Sequence, residues 1–380
     1  MSAFRGTPHS GGRINSPRLA ADRETENVKL HDETIRGFAS DNYAGAHPEV
    51  IAALAEANGG HQIAYGEDVY TAKLQEVIRE HFGEHAEAFP VFNGTGANVI
   101  ALTSVLPRWG AVIATTTAHI HTDENGAPER MSGLKLLPVS TPDGKLTPEL
   151  IATEAWGWGD EHRAQPLAVS ITQTSELGTL YSVAEVRAIA DFAHERGMVL
   201  HLDGARISNA AAALGCSFRE FTTDAGVDIL SFGGTKNGLL YGEAVVVLNP
   251  AASHGLTYLR KLNAQLASKM RFVSAQLIAL LSDELWLRSA THANAMAARL
   301  RTALEAELAA GTITGLGFSR DTQANAVFAT LPPGVADRLR ERFRFYDWDA
   351  SIGEVRWMTS FDTTDADVDA FVAAVRAELG

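Results

Sequence analysis

Cysteine is nearly absent: Cys216 is the one thiol in 380 residues, which excludes an intrachain disulfide framework and fits a reducing cytoplasm. Nothing cationic lies beside it in Ala-Leu-Gly-Cys-Ser-Phe (213–218) to lower its pKa, so it reads as packing. No apolar run approaches the ~20 residues a bilayer span needs. Basic blocks are missing as well. With 32 Lys and Arg against 46 Asp and Glu, the net charge is −14, which excludes a nucleic-acid or anionic-membrane partner. The first thirty residues lack the apolar core of a secretory signal and read as part of a flexible arm over 1–36. There is no internal repeat or low-complexity tract.

Hydrophobic residues make up 46% of the chain, enough for a large lobe and a smaller one. Between 87 and 250, short apolar runs alternate with amphipathic stretches, the pattern of a parallel α/β sheet. The expected strands are Phe89–Phe92, Ala111–Thr115, Leu134–Val139, Leu167–Thr172, Val199–Asp203, Ile229–Phe232 and Ala244–Leu248. Ser182 with Glu185 forms a capping box for a helix that Gly197 stops, and Thr147-Pro148 starts another. Helices are expected over 48–58 and 71–82. A long helical stretch over 258–309 should break or bend near 282–292. Strands near Ala326–Thr330 and Val355–Thr359, with helices at 334–343 and 364–378, complete a smaller lobe. The lobes are placed at 37–255 and 256–380.

Three motifs carry chemistry. Lys236 sits in Gly-Gly-Thr-Lys-Asn-Gly after one strand, and Asp203 in Asp-Gly-Ala-Arg at the end of another. An amine and a carboxylate at neighbouring strand ends suit pyridoxal phosphate (PLP). The lysine would bind the cofactor as a Schiff base, and the carboxylate would keep the pyridine nitrogen protonated. The third motif, Asn93-Gly94-Thr95-Gly96-Ala97-Asn98, lies between a strand and a helix. Small residues and free N–H groups at a helix N-terminus make a phosphate cradle of Gly94, Thr95 and Gly96.

In this order and spacing the motifs resemble those of the threonine aldolases, PLP enzymes of the aspartate-aminotransferase fold (fold type I), over roughly residues 38–378. Phe38-Ala39-Ser40-Asp41-Asn42 and Tyr65-Gly66-Glu67-Asp68 match too. The resemblance implies an α/β fold whose large lobe holds a mostly parallel seven-stranded sheet between helices, followed by a smaller C-terminal α/β lobe. Lys236 then corresponds to the Schiff-base lysine, Asp203 to the pyridinium partner and His119 to the histidine stacked on the ring. Arg206 corresponds to an arginine near cofactor and substrate carboxylate, while Ser40 and Arg356 correspond to residues that hold that carboxylate. Arg271 corresponds to an arginine reaching the cofactor phosphate from a neighbouring subunit. Glu124 matches an active-site glutamate, and His162 a histidine near the substrate side chain. His119, His121 and Asp123 would share one face if they lay on a strand, which leaves a metal site as the alternative reading of that segment.

The activity so implied is retro-aldol cleavage of L-threonine, L-allo-threonine and related β-hydroxy-α-amino acids to glycine and an aldehyde. His119, or a water it orients, is the first candidate to remove the β-hydroxyl proton. The expected enzyme is a cytoplasmic homodimer or homotetramer with shared sites. The same lysine and aspartate would equally serve a β-eliminating lyase or a transaminase. The chain departs from the typical bacterial pattern in two places. Thr172-Gln173-Thr174-Ser175-Glu176 replaces Glu-Asn-Thr-His-Asn, and the lysine does not stand in a Ser-Lys-Gly context.

Overall fold

A computed structural model describes residues 30–380, so most of the expected N-terminal arm lies outside the described residues. Residues 30–35 are the described end of a separate N-terminal unit, in which the backbone N–H and hydroxyl of Thr34 donate to Asp32. Residues 36–380 make the other unit.

All seven expected strands of the large sheet form: β1 Glu87–Val91, β2 Gly110–Thr115, β3 Lys135–Val139, β4 Gln165–Thr172, β5 Val199–Gly204, β6 Ile229–Gly233 and β7 Glu243–Val247. Their spatial order is β1-β7-β6-β5-β4-β2-β3, with β7 antiparallel to both neighbours and the remaining pairs parallel. Side chains alternate between two apolar layers. Ala111, Ile113, Ala244 and Val246 enter one core, whereas Val112, Ala114, Val245 and Val247 face the other side. Burial on both faces explains why these strands read as continuous apolar runs rather than alternating ones. Parallel β2, β4, β5 and β6 all end at the same sheet edge, where a ligand of an open α/β sheet binds.

The helical stretch after β7 is cut twice, not once. Helices Leu256–Leu262, Arg271–Leu281 and Leu285–Ala309 are separated at 263–270 and at 282–284. The second break, with Asp283 and Glu284 in the left-handed region, is the expected one. Tertiary pairing imposes the first. Gln265 Oε1 accepts the Phe92 N–H at 2.9 Å, and Ser268 O, a carbonyl that a continuous helix would bond internally, accepts that of Tyr65 at 2.9 Å.

The smaller sheet has four strands, β8 Gly317–Phe318, β9 Ala326–Thr330, β10 Tyr346–Asp349 and β11 Glu354–Met358, ordered β10-β11-β9-β8 and fully antiparallel. Two were expected. β8 is too short for periodicity to register, and β10 (Tyr-Asp-Trp-Asp) is a mostly exposed edge strand whose aromatic/acidic alternation runs for only four residues. Phe38 packs into the core of this lobe, its N–H bonding Arg344 O and its carbonyl accepting from Met358 N. That anchor carries Ser40, Asp41 and Asn42 to the mouth of the large sheet.

Candidate active site

Two chambers meet at the carboxyl end of the large sheet. The smaller, of about 330 Å³, is lined by Gly94, Thr95, Asp203 and Glu243 among others. The larger, of about 780 Å³, is lined by Ser40, Glu176, Arg206 and Arg356. Lys236, His119 and Asn42 line both.

Lys236 lies in the one-turn helix Thr235–Asn237 just past β6. A Cβ on Gly233 would meet Ala205 O at 2.6 Å, so only glycine lets β6 pass that close to the turn after β5. Glu243 Oε2 accepts the Gly234 N–H at 2.5 Å and ties the loop to β7. Burial, with the Arg206 guanidinium nearby, lowers the pKa of the Lys236 ammonium and favours the neutral, nucleophilic amine. Burial also pushes the Glu243 carboxyl up to about 7.

Asp203 ends β5, 4% exposed. Its Oδ1 accepts the Ala205 N–H at 3.0 Å and its Oδ2 accepts from Asn98 Nδ2 at 2.9 Å. Asn98 Nδ2 also donates to Glu124 Oε1 at 2.8 Å, and His119 Nδ1 lies 2.8 Å from that oxygen. The hydrogen bond to Glu124 thereby raises the His119 pKa above the usual imidazole range, against the opposing effect of burial. Asp203 and His119 are thus set in place through one amide that sequence reading did not single out. Its signal was an asparagine in the interior of the helix Gly94–Val105, directly before the apolar run Val99–Leu102.

Asn93 caps that helix by accepting the Gly96 N–H at 2.8 Å. The Gly94 and Thr95 N–H groups open the helix and have no acceptor within it. A Cβ on Gly94 would meet nothing within 4 Å, so the chamber beside it has room for a ligand.

Arg206 binds Asp41 through both edges of a fork, Nε to Oδ2 at 2.7 Å and Nη2 to Oδ1 at 2.9 Å. Burial opposes ionisation of Asp41, but Arg206 overcomes it and holds the carboxyl below its ordinary range. Arg356, on β11, has no such partner among the described residues. Its guanidinium lies 4.8 Å from the Trp348 ring centroid, and its buried Nε makes no hydrogen bond. Burial, then repulsion from Arg206, pushes its pKa down to about 10. Arg206 is thus forked to an internal carboxylate, whereas the Arg356 guanidinium keeps hydrogen-bonding capacity toward the chamber it lines. Ser40 lines the same chamber, its hydroxyl accepting the Asn42 N–H at 3.2 Å.

Other expected residues fall elsewhere. Arg271 lines neither chamber and donates to Gly60 O at 3.3 Å. His162 has 87% of its side chain exposed and lies away from both. His119–Thr122 is a helical turn, so His119, His121 and Asp123 do not share a strand face. Among the described residues no cluster of three such side chains could hold a metal ion.

The sequence profile of the beta-eliminating lyase family matches residues 37–330. Low specificity L-threonine aldolases from Pseudomonas sp. (strain NCIMB 10558) and Pseudomonas aeruginosa are 44% and 45% identical to the chain. Each match covers 90% of this chain and 97% or 98% of the relative. Among solved structures, a threonine aldolase from Leishmania major superposes with a TM-score of 0.83 at 30% identity, covering 90% of this chain and 98% of that one.

Proposed function

This chain belongs to the beta-eliminating lyase family and within it to the low specificity L-threonine aldolases, and from that membership we propose that it cleaves L-threonine, L-allo-threonine and related β-hydroxy-α-amino acids to glycine and an aldehyde. Its fold is fold type I, and its family depends on PLP. The observation that carries the reading is the unpartnered Arg356 Nε in a chamber that also opens on Lys236.

The residues fit the cofactor. Gly94 and Thr95 would take the phosphate on their N–H groups, with Gly96 completing the turn. Asp203 would hold the pyridine nitrogen, His119 the ring face and Lys236 the aldehyde carbon. When bound, PLP supplies an electron sink for the pair left on Cα as the Cα–Cβ bond breaks. The rest falls to the chain. Arg356, with Ser40 beside it, grips the substrate carboxylate, and Arg206 with its bound Asp41 forms the wall against which that carboxylate lies. Two-point holding turns the Cα–Cβ bond to the orientation in which it breaks. Burial lowers the Lys236 pKa and so favours the free amine that has to return.

Arg356→Ala should raise KM for L-threonine roughly 100-fold, the equivalent of ~3 kcal/mol for a buried charge pair, and leave the visible absorption of the bound cofactor unchanged. Steady-state kinetics beside a spectrum would check both.

The active form proposed is a homo-oligomer with shared sites. Tyr258 and Leu262 are 80% and 79% exposed and adjoin Tyr65 in an apolar surface patch. Arg271, absent from its own chain's chambers, is assigned to a neighbouring subunit's phosphate. Mixing an Arg271→Ala variant with a Lys236→Ala variant should therefore regenerate activity, because a mixed dimer holds one complete site. Activity that stays lost after subunit exchange, checked by differential tagging, would count against sharing. Among the described residues no helix is long and apolar enough to cross a membrane. A cytoplasmic location is proposed on the lone cysteine.

Absorption spectra before and after adding L-threonine, with glycine and acetaldehyde assayed together, test the whole reading. A visible Schiff-base band plus both products supports it. The band without the products points to a β-eliminating lyase or transaminase, and no band after adding PLP overturns the role of Lys236.

A further inference from the structure

We infer that Glu176 is the base that takes the β-hydroxyl proton, a role that rests on the aldol cleavage proposed above. Glu176 lies just past β4, in the segment where the chain departs from the typical bacterial pattern. Its Oε1 is pinned, accepting the His119 N–H at 2.7 Å and the Thr172 hydroxyl at 3.0 Å. Its Oε2 is buried and makes no hydrogen bond among the described residues, and the residue lines the larger chamber with Lys236 and Arg356. A buried carboxylate oxygen without a donor is costly, and a substrate hydroxyl entering this chamber would supply one.

Burial, reinforced by the negative charge of Asp203, pushes the Glu176 carboxyl up to about 7, so it can both accept and release a proton near neutrality. The charged and titratable groups around it are Asp203 at the end of β5, Arg206 after it, Lys236 after β6, Arg356 on β11, His119 and Asp123, and Tyr181 on its own loop. The competitors are less suited. His119 is held by Glu124 toward its protonated form, Asp123 has 82% of its side chain exposed, and Glu124, whose Oε2 is also unpartnered, lines neither chamber.

In the step, the O–H bond breaks and its proton passes to Glu176 Oε2. The O–H pair becomes the C=O bond of the departing aldehyde as Cα–Cβ breaks. The Cα–Cβ pair stays on the glycine fragment until Cα takes up a proton, so atoms and charge balance.

The test is Glu176→Gln in the full-length holoenzyme. Cleavage of L-threonine should fall about 10²–10³-fold in kcat, the usual weight of a general base. Two further readouts separate base from scaffold. Solvent-deuterium exchange at Cα of glycine, which needs no hydroxyl proton removed, should persist at the wild-type rate. The acid limb of the wild-type kcat/KM profile, rising with pH through about 7 as the carboxyl ionises, should vanish. Glu176→Asp should recover part of the cleavage. Wild-type cleavage in Glu176→Gln, or equal loss of cleavage and exchange, would overturn the role. Failure of the unaltered enzyme to cleave any β-hydroxy amino acid would instead overturn the aldol reading beneath it.

Discussion

Replacing Lys236 by alanine is expected to reduce cleavage of L-threonine on the order of 10⁴-fold or more, the scale seen when a covalent catalyst is removed. Among the described residues no other amine lines the smaller chamber, so none of them can substitute. The fold should survive. The turn is held by bonds between side chain and backbone, Gly234 N–H to the Glu243 carboxyl and the Asn237 side-chain amide to Trp286 O, neither of which involves the lysine side chain. Burial already disfavours the Lys236 ammonium, so its removal relieves a cost and should not lower the melting temperature of the cofactor-free protein. Titration with PLP should show no protein-bound Schiff-base band, while circular dichroism and the thermal melt stay close to wild type. A retained band would mean that a different lysine is the attachment point.

Asp203→Asn should lower kcat about 10²–10³-fold, the usual effect of deleting one aimed electrostatic contact, while PLP still attaches at Lys236. Only a carboxylate holds the pyridine nitrogen protonated, and that proton makes the ring an electron sink. The substitution also reverses a hydrogen bond. Both Asp203 oxygens accept, from Ala205 N–H and from Asn98 Nδ2, and an asparagine amide would set a donor against one of those donors. The visible band should therefore persist but shift, with the loss concentrated in kcat. A variant that keeps wild-type kcat would show that another group protonates the ring.

The linear chain already displays much of this. Each large-sheet strand is a short apolar run ended by turn residues, and burial on two faces makes the run continuous, a signal that needs no partner to read. The same holds for the capped helix Val183–His194 and for the Asn93 cradle, where local chemistry sets the structure. Lys236, Asp203, His119, Ser40, Arg206 and Arg356 were found by motif order, and they do meet around the two chambers.

Relations between distant residues were not legible. The Arg206–Asp41 fork spans 165 positions, and nothing local tells an arginine held by an internal carboxylate from one awaiting a substrate. Asn98 links Asp203 to Glu124 because a helix carries it across the sheet edge, a proximity no spacing rule encodes. Glu176 stood in the sequence only as a departure from a pattern. Its burial, its pinned oxygen and its free one arise when β2 and β4 end side by side and bring the His119 N–H to it. Local patterning thus settled which elements form and which motifs bear chemistry, because those depend on neighbours along the chain. Packing decided protonation preferences, partner choice and which arginine faces the chamber without a carboxylate fork, because burial and charge are set by residues that meet only when the chain has folded.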